Sequence, residues 1–143
     1  MKTILFTAAF AMIFGIASAQ KVKSSAVPTA VTAKFASLYP SAEDVKWEKE
    51  GANYEAEFEL NEVETSANFD ATGNFLESET EVAASALPAA VTEYMNKNAA
   101  GAKIKEVSKI VDASGKITWE VEANKKDYLF DENGAFIKTV DGD

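Results

Sequence analysis

The segment Ser25-Ala26-Val27-Pro28-Thr29-Ala30-Val31-Thr32 returns almost unchanged as Ser85-Ala86-Leu87-Pro88-Ala89-Ala90-Val91-Thr92. A repeat with a period of roughly half the chain restricts the fold to one structural unit written twice. The register holds further on. Tyr54-Glu55-Ala56-Glu57 answers to Trp119-Glu120-Val121-Glu122, and Asn68-Phe69-Asp70-Ala71-Thr72-Gly73 to Leu129-Phe130-Asp131-Glu132-Asn133-Gly134. Each copy should therefore contain the same elements, with small changes in loop length.

Each copy opens on a helix. Pro28 and Pro88 suit first-turn positions, where a missing N–H costs nothing, and Ser25 and Ser85 are placed to cap. Val27, Val31, Phe35 and Leu38 form one apolar face, as do Leu87, Val91, Tyr94 and Met95. Pro40 and Gly101 end the two patterns. Strands follow. Val45 and Trp47 alternate with polar residues, and after Glu50-Gly51 the run Tyr54, Ala56, Phe58, Leu60 alternates with Glu55, Glu57 and Glu59. Val63 to Phe69 and Phe75 to Val82 complete four strands, joined at the turn Asp70-Ala71-Thr72-Gly73. The second copy reads Ile104 to Val111, Ile117 to Ala123, Tyr128 to Phe130 and Phe136 to Val140, with turns at Asp112-Gly115 and Asp131-Gly134. Short turns between successive strands imply an antiparallel meander covered by helices on one face. The expected class is α+β: two tandem helix-plus-four-stranded units joined into one sheet.

The organisation expected is a signal peptide over 1–19, a first unit over 20–82 and a second over 83–143. Lys2, the apolar run Ile4 to Ile16 and the small residues Ala17-Ser18-Ala19 have the form of an export signal, cleaved near Ala19. The run is shorter than the roughly 20 residues of a membrane span. A periplasmic or secreted protein with no membrane anchor in its mature form is expected. The chain has no cysteine, so stability must come from a packed core, for which about 120 residues suffice. Its formal charge is −9, which repels nucleic acid and anionic lipid.

With neither cysteine nor histidine, Ser–His, Cys–His and His–metal chemistry are excluded. Ser108-Lys109 and Ser114 near Lys116 read as strand and turn residues rather than Ser–Lys pairs. Carboxylates are the remaining candidates. Glu55, Glu57 and Glu59 share one sheet face, and so do Glu77, Glu79 and Glu81. Neighbours at i and i+2 lie about 6.5–7 Å apart, within reach for glycoside hydrolysis. A solvated stripe would not separate their pKa values, so the stripes read first as a solvated face, next as a binding surface and last as a catalytic pair. The turns at Asp70, Asp112 and Asp131 lack the alternating oxygens of a calcium loop and read as Asp-capped turns.

The repeated unit, a Ser-Ala-Val/Leu-Pro helix start, an aromatic-Glu-x-Glu strand and Phe-Asp-x-x-Gly-x-Phe, resembles the PepSY-like, β-lactamase-inhibitor-like domains of exported Bacteroidota proteins. Tyr39-Pro40-Ser41-Ala42, Val45-Lys46-Trp47-Glu48 and Asn68-Phe69-Asp70 carry the likeness in the first copy. Leu87-Pro88, Trp119-Glu120-Val121-Glu122 and Phe130 to Gly134 carry it in the second. The second copy departs at Ala99-Ala100-Gly101-Ala102, and no Trp answers Trp47. The resemblance implies tandem helix-and-sheet units and a periplasmic or secreted location; it does not imply a catalytic site.

The expectation is thus a non-catalytic binding or inhibitor-like module without cofactor or metal. Its acidic sheet face would engage a protein or peptide, a basic one being the natural complement. The residues expected to make contact are Trp47, Glu55, Glu57, Glu59, Glu77, Glu79, Glu120 and Glu122. The alternatives are a carboxylate-dependent hydrolase and a calcium-tuned structural protein.

Overall fold

A computed structural model of the chain describes residues 19–142. The expected signal segment, apart from Ala19, lies outside the described residues. Nine strands form one antiparallel sheet whose spatial order is the order of the chain. They are β1 (Gln20–Val22), β2 (Glu43–Glu50), β3 (Asn53–Leu60), β4 (Val63–Asp70), β5 (Phe75–Glu81), β6 (Ile104–Asp112), β7 (Ile117–Ala123), β8 (Lys126–Asp131) and β9 (Phe136–Asp141). Helix α1 (Thr29–Leu38) lies between β1 and β2, and α2 (Ala89–Asn98) between β5 and β6. The α+β meander read from the repeat is the observed fold. Strand β1 is additional: it is too short to show alternation, and it pairs with β2 through Gln20↔Lys49 and Val22↔Trp47.

Both helices cover the same face. Cross-strand partners share a face, and the row Trp47↔Ala56↔Ala67↔Ser78↔Val111↔Ile117 crosses six strands. Val31 and Phe35 of α1 pack on Trp47, Tyr54, Phe58 and Phe69, while Val91 and Met95 of α2 pack on Val121, Ala123 and Phe130. Ala56 and Ala67, both fully buried, keep the sheet surface low beneath α1. The helix starts differ from expectation. Pro28 and Pro88 are themselves the N-caps, and no side chain caps either helix. Ser25 and Ser85 instead lie in 3₁₀ turns, Ser24–Ala26 and Ala84–Ala86, that lead the chain into the prolines. Leu38, counted on the core face by spacing, is 41% exposed at the end of α1.

The Asp–Gly turns tie sheet to helix. Gly73 has φ +90°, and a Cβ there would stand 2.7 Å from the carbonyl oxygen of Ala30 in α1. The equivalent Gly134 abuts Pro88 and Ala90 at 3.1 Å. Gly115 shares the positive φ but has nothing within 4 Å. Gly73→Ala should therefore cost about 2–3 kcal/mol, backbone strain plus overpacking, and Gly115→Ala about 1 kcal/mol from strain alone. Urea unfolding of the two variants checks this, and equal losses would show that the helix contact contributes nothing.

Candidate functional site

Among the described residues no helix lies over the opposite face of the sheet, yet its floor is buried. By register, one row there reads Glu48↔Glu55↔Asn68↔Glu77↔Asp112, and the next reads Lys46↔Glu57↔Ser66↔Glu79↔Ile110↔Thr118. Further along lie Glu81↔Ser108↔Glu120↔Leu129 and Glu106↔Glu122↔Asp127. Alternation along the strands puts the carboxylates here because the aromatic and most of the aliphatic side chains take the helix side, Ile110 and Leu129 being buried among the carboxylates.

Exposure separates them. Glu55, Glu79 and Glu120 are only 2%, 7% and 4% exposed, whereas Glu59 and Glu81 are exposed and Glu57, Glu77 and Glu122 half-buried. The solvated stripe expected from alternation is therefore a buried floor with an exposed rim. Glu79 on β5 and Asp127 on β8 lie on this same face, and the Asp127 charge adds to the rise of the Glu79 carboxyl.

Burial sets the proton affinity of this floor. It lifts Glu55 to about 8, reinforced by the charge of Glu50 and opposed by the Ser66 hydroxyl. It lifts Glu79 to about 7 against the opposing Ser108 hydroxyl, and Glu106 to about 7 with help from Glu81. Glu120 rises furthest, through burial and then the charges of Glu79 and Asp127. Glu57, Glu64 and Glu77 rise in the same direction, again chiefly through burial. At neutral pH Glu55 therefore keeps its proton, while Glu79 and Glu106 sit near the midpoint of their titration. Glu120 Oε2 and Asn68 Oδ1 are buried without a hydrogen-bond partner in the protein. Each such atom costs about 1–3 kcal/mol, and both face the same way.

Trp47 does not belong to this surface. It is 6% exposed and sits edge-on to Phe35 with ring centres 5.3 Å apart, a core residue on the helix side. Ser108 faces the open side, whereas Lys109 faces the other, with its Nζ 6.0 Å from the Trp119 ring, so no Ser–Lys pair forms. Ser114 Oγ donates to Asp112 Oδ1 at 2.6 Å. Asp70 Oδ1 likewise accepts from the Thr72 hydroxyl at 2.6 Å and from the amides of Thr72 and Asn74. Those bonds hold the Asp70 carboxyl down at about 2 and occupy the oxygen a calcium loop would need. Sequence reasoning missed Glu50, Ser66, Asn68, Ser108, Glu106 and Asp127 as members of the face. Their parity with Glu55, Glu79 and Glu120 was the available signal.

The family model described as "Putative beta-lactamase-inhibitor-like, PepSY-like" matches residues 16–65 and 53–138. Among solved structures, a BLIP-like protein from Bacteroides fragilis NCTC 9343 is similar at a TM-score of 0.65 and 30% identity, covering 80% of this chain and 86% of that one. A DUF2874 family protein from Bacteroides uniformis ATCC 8492 reaches 0.73 at 22% identity, covering 80% and 88%. A protein from Bacteroides eggerthii DSM 20697, described as "putative periplasmic", also reaches 0.73, at 19% identity and with the same coverage. The last two share the fold. A search of curated proteins finds no match.

Proposed function

The chain belongs to the PepSY-like, β-lactamase-inhibitor-like family, and from that premise we propose that it is an exported, non-catalytic binding module. Its helix-free face engages a protein or peptide through basic side chains. The observation that carries this reading is the composition of that face: carboxylates run from β2 to β8 and outnumber the lysines there, Lys21, Lys46 and Lys138 by register and Lys105 through its ion pair with Glu122 at 2.6 Å. The exposed rim would steer a basic partner, and its lysines would meet floor acids able to give up protons on contact. Of the sequence candidates, Glu57, Glu59, Glu77 and Glu122 serve as rim contacts and Glu55, Glu79 and Glu120 as floor. Export rests on the expected cleavage near Ala19 and on the periplasmic description of the B. eggerthii neighbour. Among the described residues no helix is long and apolar enough to cross a membrane.

A hydrolase would need one protonated carboxyl beside one kept ionised. Glu55, Glu57 and Glu79 all shift upward together, which does not divide those roles and favours binding over catalysis.

A fluorescent lysine-rich peptide titrated with the mature chain in chelator-containing buffer tests the reading. Binding is expected at about 20 mM salt and should weaken at least tenfold at about 300 mM, where the Debye length shrinks to a few Å. Replacing Glu57 and Glu59 with lysine should weaken it by a similar factor. Equal binding of a glutamate-rich peptide, or an unaffected double variant, would sink the proposal.

A further inference from the structure

Strand β9 is the second copy's counterpart of β5. Phe130↔Phe136 repeats Phe69↔Phe75, and the same one-residue bulge follows, with Leu129 opposite Lys138 as Asn68 is opposite Glu77. Ile137, Thr139 and Asp141 therefore stand where Leu76, Ser78 and Thr80 stand in the first copy. The outer edge of β5 is covered by β6 and the turn after it: the Val82 N–H donates to the Val107 carbonyl at 2.9 Å, and the Ala113 N–H to the Leu76 carbonyl at 2.8 Å. Backbone groups alternate in direction along an antiparallel strand, so Leu76, Ser78 and Thr80 all turn theirs toward β6.

Among the described residues nothing pairs with the corresponding edge of β9. The Gly142 N–H donates inward, to the Lys125 carbonyl at 3.0 Å. By the same alternation Thr139 and Asp141 aim their amides and carbonyls outward, as Ile137 does by its equivalence to Leu76. Side-chain exposure marks the same edge independently. Phe136 and Ile137 are 39% and 48% exposed, whereas Phe75 and Leu76 are half-buried.

We propose that the outer edge of β9 pairs antiparallel with β9 of a second copy of this chain, giving a two-fold dimer with one continuous sheet. One register uses all three outward residues: Thr139 faces its own twin on the axis, and Ile137 faces Asp141 on either side of it. Lys138 then faces Val140. Sliding the register one way sets Lys138 against Lys138, and like charges in facing positions destabilise a sheet. Sliding it the other way leaves Ile137 with no partner in β9. Lys138 and Asp141 give β9 no net charge, so two such edges meet without the repulsion that a chain of formal charge −9 would otherwise bring. An isologous contact of this kind closes on itself and leaves no edge to recruit further chains. A two-fold axis through the sheet keeps each face on its own side, so the two acidic faces would join. The inference does not depend on partner binding, since it concerns the isolated chain.

Sedimentation equilibrium of the mature chain tests it. A monomer–dimer equilibrium is expected with Kd of about 100 μM, as suits an interface below about 1,200 Å². The Thr139 and Asp141 amides should exchange more slowly at about 1 mM protein than at about 10 μM. Thr139→Pro removes an outward N–H and leaves the β8–β9 ladder its bonds, so it should fold, as circular dichroism would verify, and weaken the dimer by about tenfold or more. Ile137→Asp, at an exposed position, puts like charges opposite each other on both sides of the axis and should weaken it as much. The chain has no cysteine, so Thr139→Cys reports the register. Facing residues there lie about 5.5 Å apart between Cα atoms, within disulfide reach, and should cross-link faster than the exposed Val63→Cys on β4. A chain monomeric at about 1 mM, a dimer indifferent to Ile137→Asp, or equal cross-linking of the two cysteine variants would each overturn the proposal. So would β9 amides that are slowed only by an added peptide.

Discussion

Phe35→Ala is expected to cost about 3–5 kcal/mol, a large part of the stability of a domain this size. Phe35 projects from α1 into the sheet and is the hub of an aromatic cluster. Its ring centre lies 5.0 Å from Phe58, 5.3 Å from Trp47, 5.6 Å from Tyr39 and 6.3 Å from Phe69. The contacts with Phe58, Trp47 and Phe69 are edge-to-face, the geometry that adds about 0.5–1.5 kcal/mol per pair to simple burial. Truncation opens a cavity walled by rigid rings that cannot collapse into it, which places the loss in the upper part of the range. Phe136→Ala is the comparison. That ring stacks on Tyr94 at 4.5 Å but is 39% exposed, so its removal should cost about 1–2 kcal/mol. Similar losses in the two variants, measured by urea unfolding, would contradict the central role of Phe35.

Stability should fall as the pH rises from about 4.5 to about 8, by on the order of 5 kcal/mol. Glu55 titrates near 8 in the fold against 4.5 as an unperturbed group, and Glu79 and Glu106 near 7. Below pH 4.5 folded and unfolded chains both hold these protons, and the buried acids are neutral. As the pH passes through 7 and 8, the unfolded chain ionises freely while the fold must retain its protons or bury charge. The unfolded state gains. On the acid side Asp70 works in reverse: its carboxyl, held near 2, favours the fold above its ordinary value of 3.8 and loses that effect as the pH falls through 2. The optimum therefore lies between about pH 4 and 5. Denaturation midpoints recorded without calcium from pH 3 to 9 would show the decline, and Glu79→Gln should flatten it while making the protein more stable at pH 8. A flat or rising profile between pH 5 and 8 would refute the buried floor.

The repeat made most of the fold legible. Alternation located β2 to β9 and assigned each side chain a face, and the Asp–Gly turns were read correctly as capped turns. The burial of Glu55, Glu79 and Glu120 was not legible. Period-2 alternation tells which residues share a face, but how deeply each is covered depends on how neighbouring side chains across the whole sheet pack over it. Trp47 shows the same limit in reverse. The absence of a matching Trp in the second copy set it apart as a contact candidate, whereas it fills the space beneath α1; the residue at the equivalent register position, opposite Val121, is the buried Val107. The three residues of β1 carry no periodic signal at all, and their pairing is set by the free edge of β2.

Strand order that repeats chain order has a kinetic consequence. Each strand pairs with the one before it, and apart from the two helix-bearing connections every link is a tight hairpin, so loop-closure entropy is small at almost every step and folding should be fast for so large a sheet. A chain emerging N-terminus first would find the partner for each new strand already in place. The cluster around Phe35 draws only on residues before Phe75 and Phe75 itself, so it can close before α2 has appeared, leaving β5 as the template on which the remaining four strands are laid down in turn.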